Sequence, residues 1–258
     1  MPQAEWGADP EFFGPRHAHR EDRILVALRR AAPGPGPHLE CAAGVGSLSH
    51  SIAAGGRLVV AADTSLRSLA WMARQRRPGA TGGQVLAVLA DIQQLPFADG
   101  TFTSVTSAET LEHIPDDHAA VAELVRCLRP GGWLVGTVPA GPEQWSDWDD
   151  WAGHERRYTV AGMSRLLRSA GLQVEVRQWG WPVLRTYDEL FLQRINRRRL
   201  HASGGVDDDP ALRTVQGLGR RRWLVRAVRS AFSLDRLFDG TRWGVGLLFA
   251  ARRSTDQA

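Results

Sequence analysis

The sequence, 258 residues long, predicts an α/β fold: a doubly wound sheet of seven strands, mostly parallel, with helices on both faces. Three observations predict it. Short apolar runs at 38–40, 57–63 and 84–91 each end in an acid, Glu40, Asp63 and Asp91. Stretches with helical spacing separate successive runs, as crossover connections between parallel strands require. A later run, Leu172-Gln173-Val174-Glu175-Val176-Arg177, alternates strictly, the pattern of an edge strand with one wet face.

The elements follow in order. A helix over 20–30 is stopped by Pro33-Gly34-Pro35-Gly36-Pro37. The first strand runs through Cys41-Ala42-Ala43-Gly44-Val45-Gly46 into a short helix, and the second closes at Asp63. A helix over 65–77 is expected to turn Leu66, Leu69, Ala70 and Ala73 inward. After the third strand come Leu95-Pro96-Phe97, Asp99 and Phe102, then a fourth strand over 102–108. Asp116 caps a helix bearing Val121, Leu124, Val125 and Leu128, which Pro130 and Gly131 end before a fifth strand over 133–139. Thr159 starts a helix with Val160, Met163, Leu167 and Ala170 facing inward, and the last strand occupies 244–253. The chain is expected to be one domain over 1–258, with 182–242 as a helical insertion that caps the substrate end of the sheet.

Composition narrows the class. All 32 basic residues are arginine, against 28 acids. Cys41 and Cys127 have no zinc-type spacing and suit small apolar packing in a reducing compartment. The start, MPQAEWGADP, lacks the basic and apolar regions of a secretory signal, and the near-apolar run 243–251 is far short of a membrane span. A cytoplasmic location is expected. Charge is uneven: from Pro182 onward 15 arginines face 8 acids, a net of +7, densest at 196–199 and 219–223. Solvated helix faces, an anionic acceptor, and peripheral attachment to anionic lipid through 219–232 all fit, since Leu224, Val228 and Phe232 share a face there. Nucleic acid is not expected, because no reader motif accompanies the charge.

The loop after the first strand sets the ligand class. A strand, small-residue loop, helix, strand and acid hold a nucleoside-type ligand across the carboxyl ends of parallel strands. The dinucleotide fingerprint G-x-G-x-x-G is incomplete: Gly44 and Gly46 are present, but Ser49 takes the third place. Glu40 gains nothing from a pyrophosphate and would welcome a cation. S-adenosylmethionine carries an ammonium and a sulfonium and no phosphate. Further on stand Glu109-Thr110-Leu111-Glu112-His113-Ile114 and Leu128-Arg129-Pro130-Gly131-Gly132. Read in order, these motifs resemble the class I S-adenosylmethionine-dependent methyltransferases, in their large small-molecule, type 11-like branch. The resemblance covers 24–181 and the terminal strand. It implies a Rossmann-like sheet with the last strand antiparallel, and S-adenosyl-L-methionine as cofactor. Ala42 stands where the family usually has its first loop glycine; its methyl is tolerated if φ is negative there.

By that resemblance Glu40 sets the methionine ammonium, Asp63 takes the ribose hydroxyls, and Asp91 with Ile92 frames the adenine. Ala42, Gly44, Gly46, Ser65 and Glu109 complete the cofactor-binding set. Methyl transfer from a sulfonium is an in-line displacement, and an oxygen or nitrogen nucleophile must also lose its proton. His113, and His154 in Gly153-His154-Glu155-Arg156-Arg157-Tyr158-Thr159, are the candidate bases; a loop-anchoring role is the plainer alternative. Glu109, Glu112 and His113 form E-x-x-E-H, which resembles a divalent-cation site of some O-methyltransferases. On one helical face they would suit a Mg2+-type ion, with His154 as a fourth ligand, although metal-free relatives carry the same letters. Trp145, Trp148 and Trp151, with acids between, form either an aromatic wall for a flat or sugar-like acceptor or a loop clamped onto the insertion through arginines. The expected activity is methyl transfer to a small molecule, O-methylation ahead of N- or C-methylation, as in bacterial secondary metabolism or sugar and lipid modification. Its rivals are a non-methylating S-adenosylmethionine-binding protein and a nicotinamide-dependent oxidoreductase.

Overall fold

In the computed structural model, residues 14–32, 34–75, 82–201, 214, 218 and 221–255 are described. Regular structure begins with α1, Pro15–Ala31, a turn and more before the expected start. Pro15 sits in the first turn, where a missing N–H leaves no bond unmade. The strands are β1 His38–Cys41, β2 Val59–Asp63, β3 Val85–Leu89, β4 Phe102–Ala108, β5 Leu128–Pro139, β6 Leu172–Trp179 and β7 Gly246–Arg253. They form one sheet in the order β3-β2-β1-β4-β5-β7-β6. The first five pair in parallel, and β7 runs antiparallel between β5 and β6. The predicted doubly wound architecture stands, including the antiparallel last strand and the edge position of β6.

Alternation along the strands feeds two cores, as a sheet covered on both faces requires. Val60, Ala62, Leu134 and Val138 join Val121 and Leu124 of α4 (Asp117–Cys127) and Met163 and Leu167 of α6 (Val160–Ser169). On the other face, Val59 and Val135 meet Ile24 and Leu28 of α1 and Leu48 and Ile52 of α2, Ser47–Ala53. Two expected faces are corrected. In α3, Leu66–Arg74, the buried side is Ser68, Leu69 and Met72, while Leu66, Ala70 and Ala73 are exposed. Val160 opens α6 and is also exposed. In α3 the buried stripe runs through Ser68, Leu69 and Met72, so it is narrower than the apolar spacing implied and partly polar.

Beyond β6 the chain forms α7, Val183–Tyr187, a π-helical turn over Asp188–Leu192, and α8, Gln193–His201. Gly219 and Arg220, from the basic stretch 219–223, lie outside the described residues. Residues 222–232 of the basic stretch form α9, Arg222–Phe232. It packs on α1, Phe232 is 1 % exposed among Trp179, Leu184 and Val245, and Val228 packs against the same cluster. No helix among the described residues is long and apolar enough to cross a membrane.

Candidate active site

Sheet order reverses between β1 and β4, and ligands of open α/β sheets bind at the carboxyl ends flanking such a switch. The loop leaving β1 turns through left-handed backbone at Ala42 (φ 55), Gly44 (φ 53) and Gly46 (φ 79). Ala42 therefore departs from the negative φ under which its methyl would have been cost-free. Asp63 closes this loop. Its Oδ2 accepts from the Gly44 N–H at 2.7 Å and its Oδ1 from the Ser65 N–H at 2.7 Å. A carboxylate has about four acceptor sites, so half of its capacity remains for a ligand.

Glu40, 4 % exposed, accepts a hydrogen bond from Ser49 Oγ. Serine at the third-glycine place thus holds the acid in front of the loop. The space at Gly46 serves packing, since an added Cβ would lie 2.5 Å from Met72 Cγ and Sδ of α3. Ser65 caps α3, accepting from the Ser68 N–H at 3.1 Å. Asp91 is exposed and accepts from the Gln93 N–H at 2.8 Å, whereas Ile92 is buried in the main core.

The other half of the edge begins where β4 ends. Glu109 has φ 52, and a 3₁₀ turn, Leu111–His113, follows. This breaks the expected helical face. Glu109 stands outside the group formed by Glu112, His113 and His154, whose ligand atoms lie within 4.8 Å of one another. Burial favours the neutral form of Glu109, but Arg20, 3.6 Å away, and Arg16 outweigh it and hold its pKa below the ordinary range. Glu112 is fully buried, and neither of its carboxylate oxygens reaches a hydrogen-bond partner on another residue. Burial, reinforced by the Glu109 charge, pushes its pKa well above the ordinary carboxylate range. His113 and His154 meet edge to face at 4.6 Å, and burial followed by the His154 charge lowers the His113 pKa.

Asp149 went unnoticed in the sequence, yet it organises this half. It lies in α5, Asp147–Ala152, fully buried. Its oxygens accept from the Ser146 N–H and Oγ at 2.8 Å, from Arg157 Nε at 2.7 Å and from Arg157 Nη2 at 3.0 Å. His154 Nδ1 lies 2.8 Å from it. Burial opposes ionisation, but the bonds from His154 and Arg157 hold it far below the usual carboxylate range. With Nδ1 donating to Asp149, His154 keeps Nε2 for a ligand or a proton. The signal available in sequence was Ser146-x-x-Asp149, a capping box opening a helix five residues before a histidine.

Asp149 pairs with Arg157, which lies in the following loop and not in 182–242, and Trp148 and Trp151 pair beside it at 4.6 Å. Arg156 binds Asp117 at 2.9 Å, and Tyr158 Oη donates to Asp117 at 2.8 Å and to the Leu111 carbonyl at 3.1 Å. Arg16 and Arg20, four apart on α1, were also missed. Arg16 pairs with Asp188 of the π-helical turn at 3.2 Å.

Comparison with known proteins agrees with this geometry. Residues 39–136 match a family model described as "Methyltransferase domain". The chain is 33% identical over 163 residues to the demethylmenaquinone methyltransferase of Thermobifida fusca (strain YX), covering 50% of this chain and 69% of that protein. It is 41% identical over 126 residues to the enzyme of the same name from Parafrankia sp. (strain EAN1pec), covering 43% of this chain and about half, 49%, of the relative. In fold it resembles the [4+2]-cyclase SpnF, with a TM-score of 0.63, 17% identity, and coverage of 98% of this chain and 87% of that one. The acid-ended strands, the closed loop and these matches lead to one family: the chain belongs to the class I S-adenosylmethionine-dependent methyltransferases.

Proposed function

We propose that this enzyme methylates a hydroxyl oxygen on a flat, small-molecule ring. The observation that carries this reading is the buried Asp149–His154 pair beside Glu112 and His113, at the sheet edge shared with the Asp63-closed loop. In the step, the acceptor oxygen attacks the methyl carbon of S-adenosylmethionine. The carbon–sulfur bond breaks, its electrons stay on sulfur, and S-adenosylhomocysteine leaves. The hydroxyl proton is taken up within the Glu112–His113–His154 cluster. Glu40 and Asp63 are proposed to hold the ammonium and the ribose, with Asp91 and Ile92 beside the adenine.

A flat acceptor is supported by the Trp148–Trp151 pair and by the quinone in the names of the relatives. Residues 182–242 are proposed to cap the site, since Asp188 pairs with Arg16 of α1, the helix whose Arg20 faces Glu109.

S-adenosylhomocysteine at 100 times its dissociation constant should stabilise the chain by about 2.7 kcal/mol, and NADH should not. Asp63→Ala should abolish that shift; unchanged affinity would sink the ribose assignment. Asp149→Asn should lower kcat by about 10²–10⁴ with cofactor affinity retained, as loss of an orienting carboxylate does. Cofactor binding without labelled methyl reaching any phenolic acceptor would favour the non-methylating alternative.

A further inference from the structure

We propose that the surface formed by residues 233–243 docks on an anionic lipid bilayer. α9 ends in a 3₁₀ turn, Ser233–Phe238, and the chain then loops back to β7. Leu237 is 82 % exposed, and Leu234, Phe238 and Trp243 are exposed with it. A lone exposed leucine is ordinary, but four large apolar side chains between 234 and 243 form a patch of the kind that marks an interaction site. Trp181 joins them, its ring centroid 5.1 Å from that of Phe238 and 4.9 Å from that of Trp243.

Charge along this stretch is sorted by direction. The acids face the protein. Asp235 is fully buried and accepts from the Val183 and Leu184 N–H groups at 2.8 and 2.9 Å, and Asp239 pairs with Arg23 of α1. The arginines face out: Arg236 and Arg242 are exposed, and the Arg242 guanidinium lies 5.6 Å from the Trp243 ring centroid. The exposed side chains of 233–243 thus include arginines and large apolar groups and no acid. The backbone is pinned, since the Gly240 N–H donates to the Gln178 carbonyl at 2.9 Å and Arg185 Nη1 to the Trp243 carbonyl at 3.1 Å.

That combination selects a lipid surface. Leucine enters the acyl boundary, tryptophan sits at the level of the headgroups, and arginine lays its stem on apolar surface while its head reaches phosphate. The net charge of +7 from Pro182 onward supplies attraction to anionic headgroups at longer range. One turn and one loop are also small for a protein partner, whose stable interfaces take about 20–30 residues a side. Val228 and Phe232 of α9 pack inward, so the contact proposed here lies in the turn that follows the helix.

The experiment sediments the full chain with vesicles of phosphatidylcholine, alone or mixed with phosphatidylglycerol, at low and high salt. The wild type should bind the mixed vesicles, release them as salt rises, and bind the neutral ones far more weakly. Leu237→Asp, and Arg236→Gln combined with Arg242→Gln, should each weaken binding about tenfold or more, with the thermal melt unchanged. No binding by the wild type, equal binding to neutral vesicles, or unchanged binding in either variant overturns the proposal. Self-association that depends on Leu237, without vesicle binding, would mark a protein contact and overturn it too. Should a variant fail to fold, a polarity-sensitive dye on Leu237→Cys decides, because Cys41 and Cys127 are buried and leave that position to react. A blue shift on the mixed vesicles supports the docking face, and its absence overturns it.

Discussion

Ala42 and Glu109 are the non-glycine residues with left-handed backbone among those described, and they flank the two sides of the switch point. Such conformations gather at functional sites, held by surrounding structure. For alanine the left-handed region costs about 1–2 kcal/mol, partly offset by the greater freedom glycine has when unfolded. Ala42→Gly is therefore expected to stabilise by about 0.5–1 kcal/mol, a rise in melting temperature of roughly 2–4 °C. A thermal melt that falls would refute the strain. Glu40, Asp63 and Asp91 could be found from sequence because each ends a predicted strand. Asp149 could not, since its role arises only when the chain turns back and sets Arg157 and His154 against it.

At the scale of elements, the segment 153–159 works as a clamp between α5, the turn after β4 and α6. Arg156 and Tyr158 tie it to Asp117, Arg157 to Asp149, and Thr159 caps α6 by accepting from the Gly162 N–H at 3.0 Å. Only His154 has a ring nitrogen left for chemistry. Tyr158→Phe should cost about 1 kcal/mol of stability, one net hydrogen bond. It should also lower kcat more than it weakens cofactor binding, because the clamp positions the turn carrying His113; equal losses in both would argue against that. Strand order and helix alternation were legible because their periods, 2 and 3.6, are local. The E-x-x-E-H face was misread for a local reason too: a residue in left-handed backbone at Glu109 ends the strand abruptly, and a 3₁₀ turn does not keep helical spacing.

At the scale of the molecule, β1 and β4 are locked by a buried histidine. His38 Nδ1 lies 2.8 Å from Ser104 Oγ and its Nε2 3.0 Å from Thr106 Oγ1. Burial, with Arg57 nearby, depresses its pKa to about 3, and burial takes His19 to about 4. The unfolded chain binds protons on both between these values and the ordinary 6.5, so their contribution to stability is complete above pH 6.5 and is lost as pH falls toward 3. Urea titrations of wild type and His38→Gln across that window should show a shallower acid loss in the variant. An identical slope would remove His38 as a cause.

The position of β7 has a further consequence, for synthesis. The strand that fills the middle of one half of the sheet is made last, so a nascent chain that has completed β6 still holds β5 and β6 apart. Two open strand edges wait until Arg253 has left the ribosome, and open edges invite pairing with other chains. Chains that stop short of 246 should therefore be trapped as aggregates or taken by proteases, so β7 decides whether this half of the sheet closes.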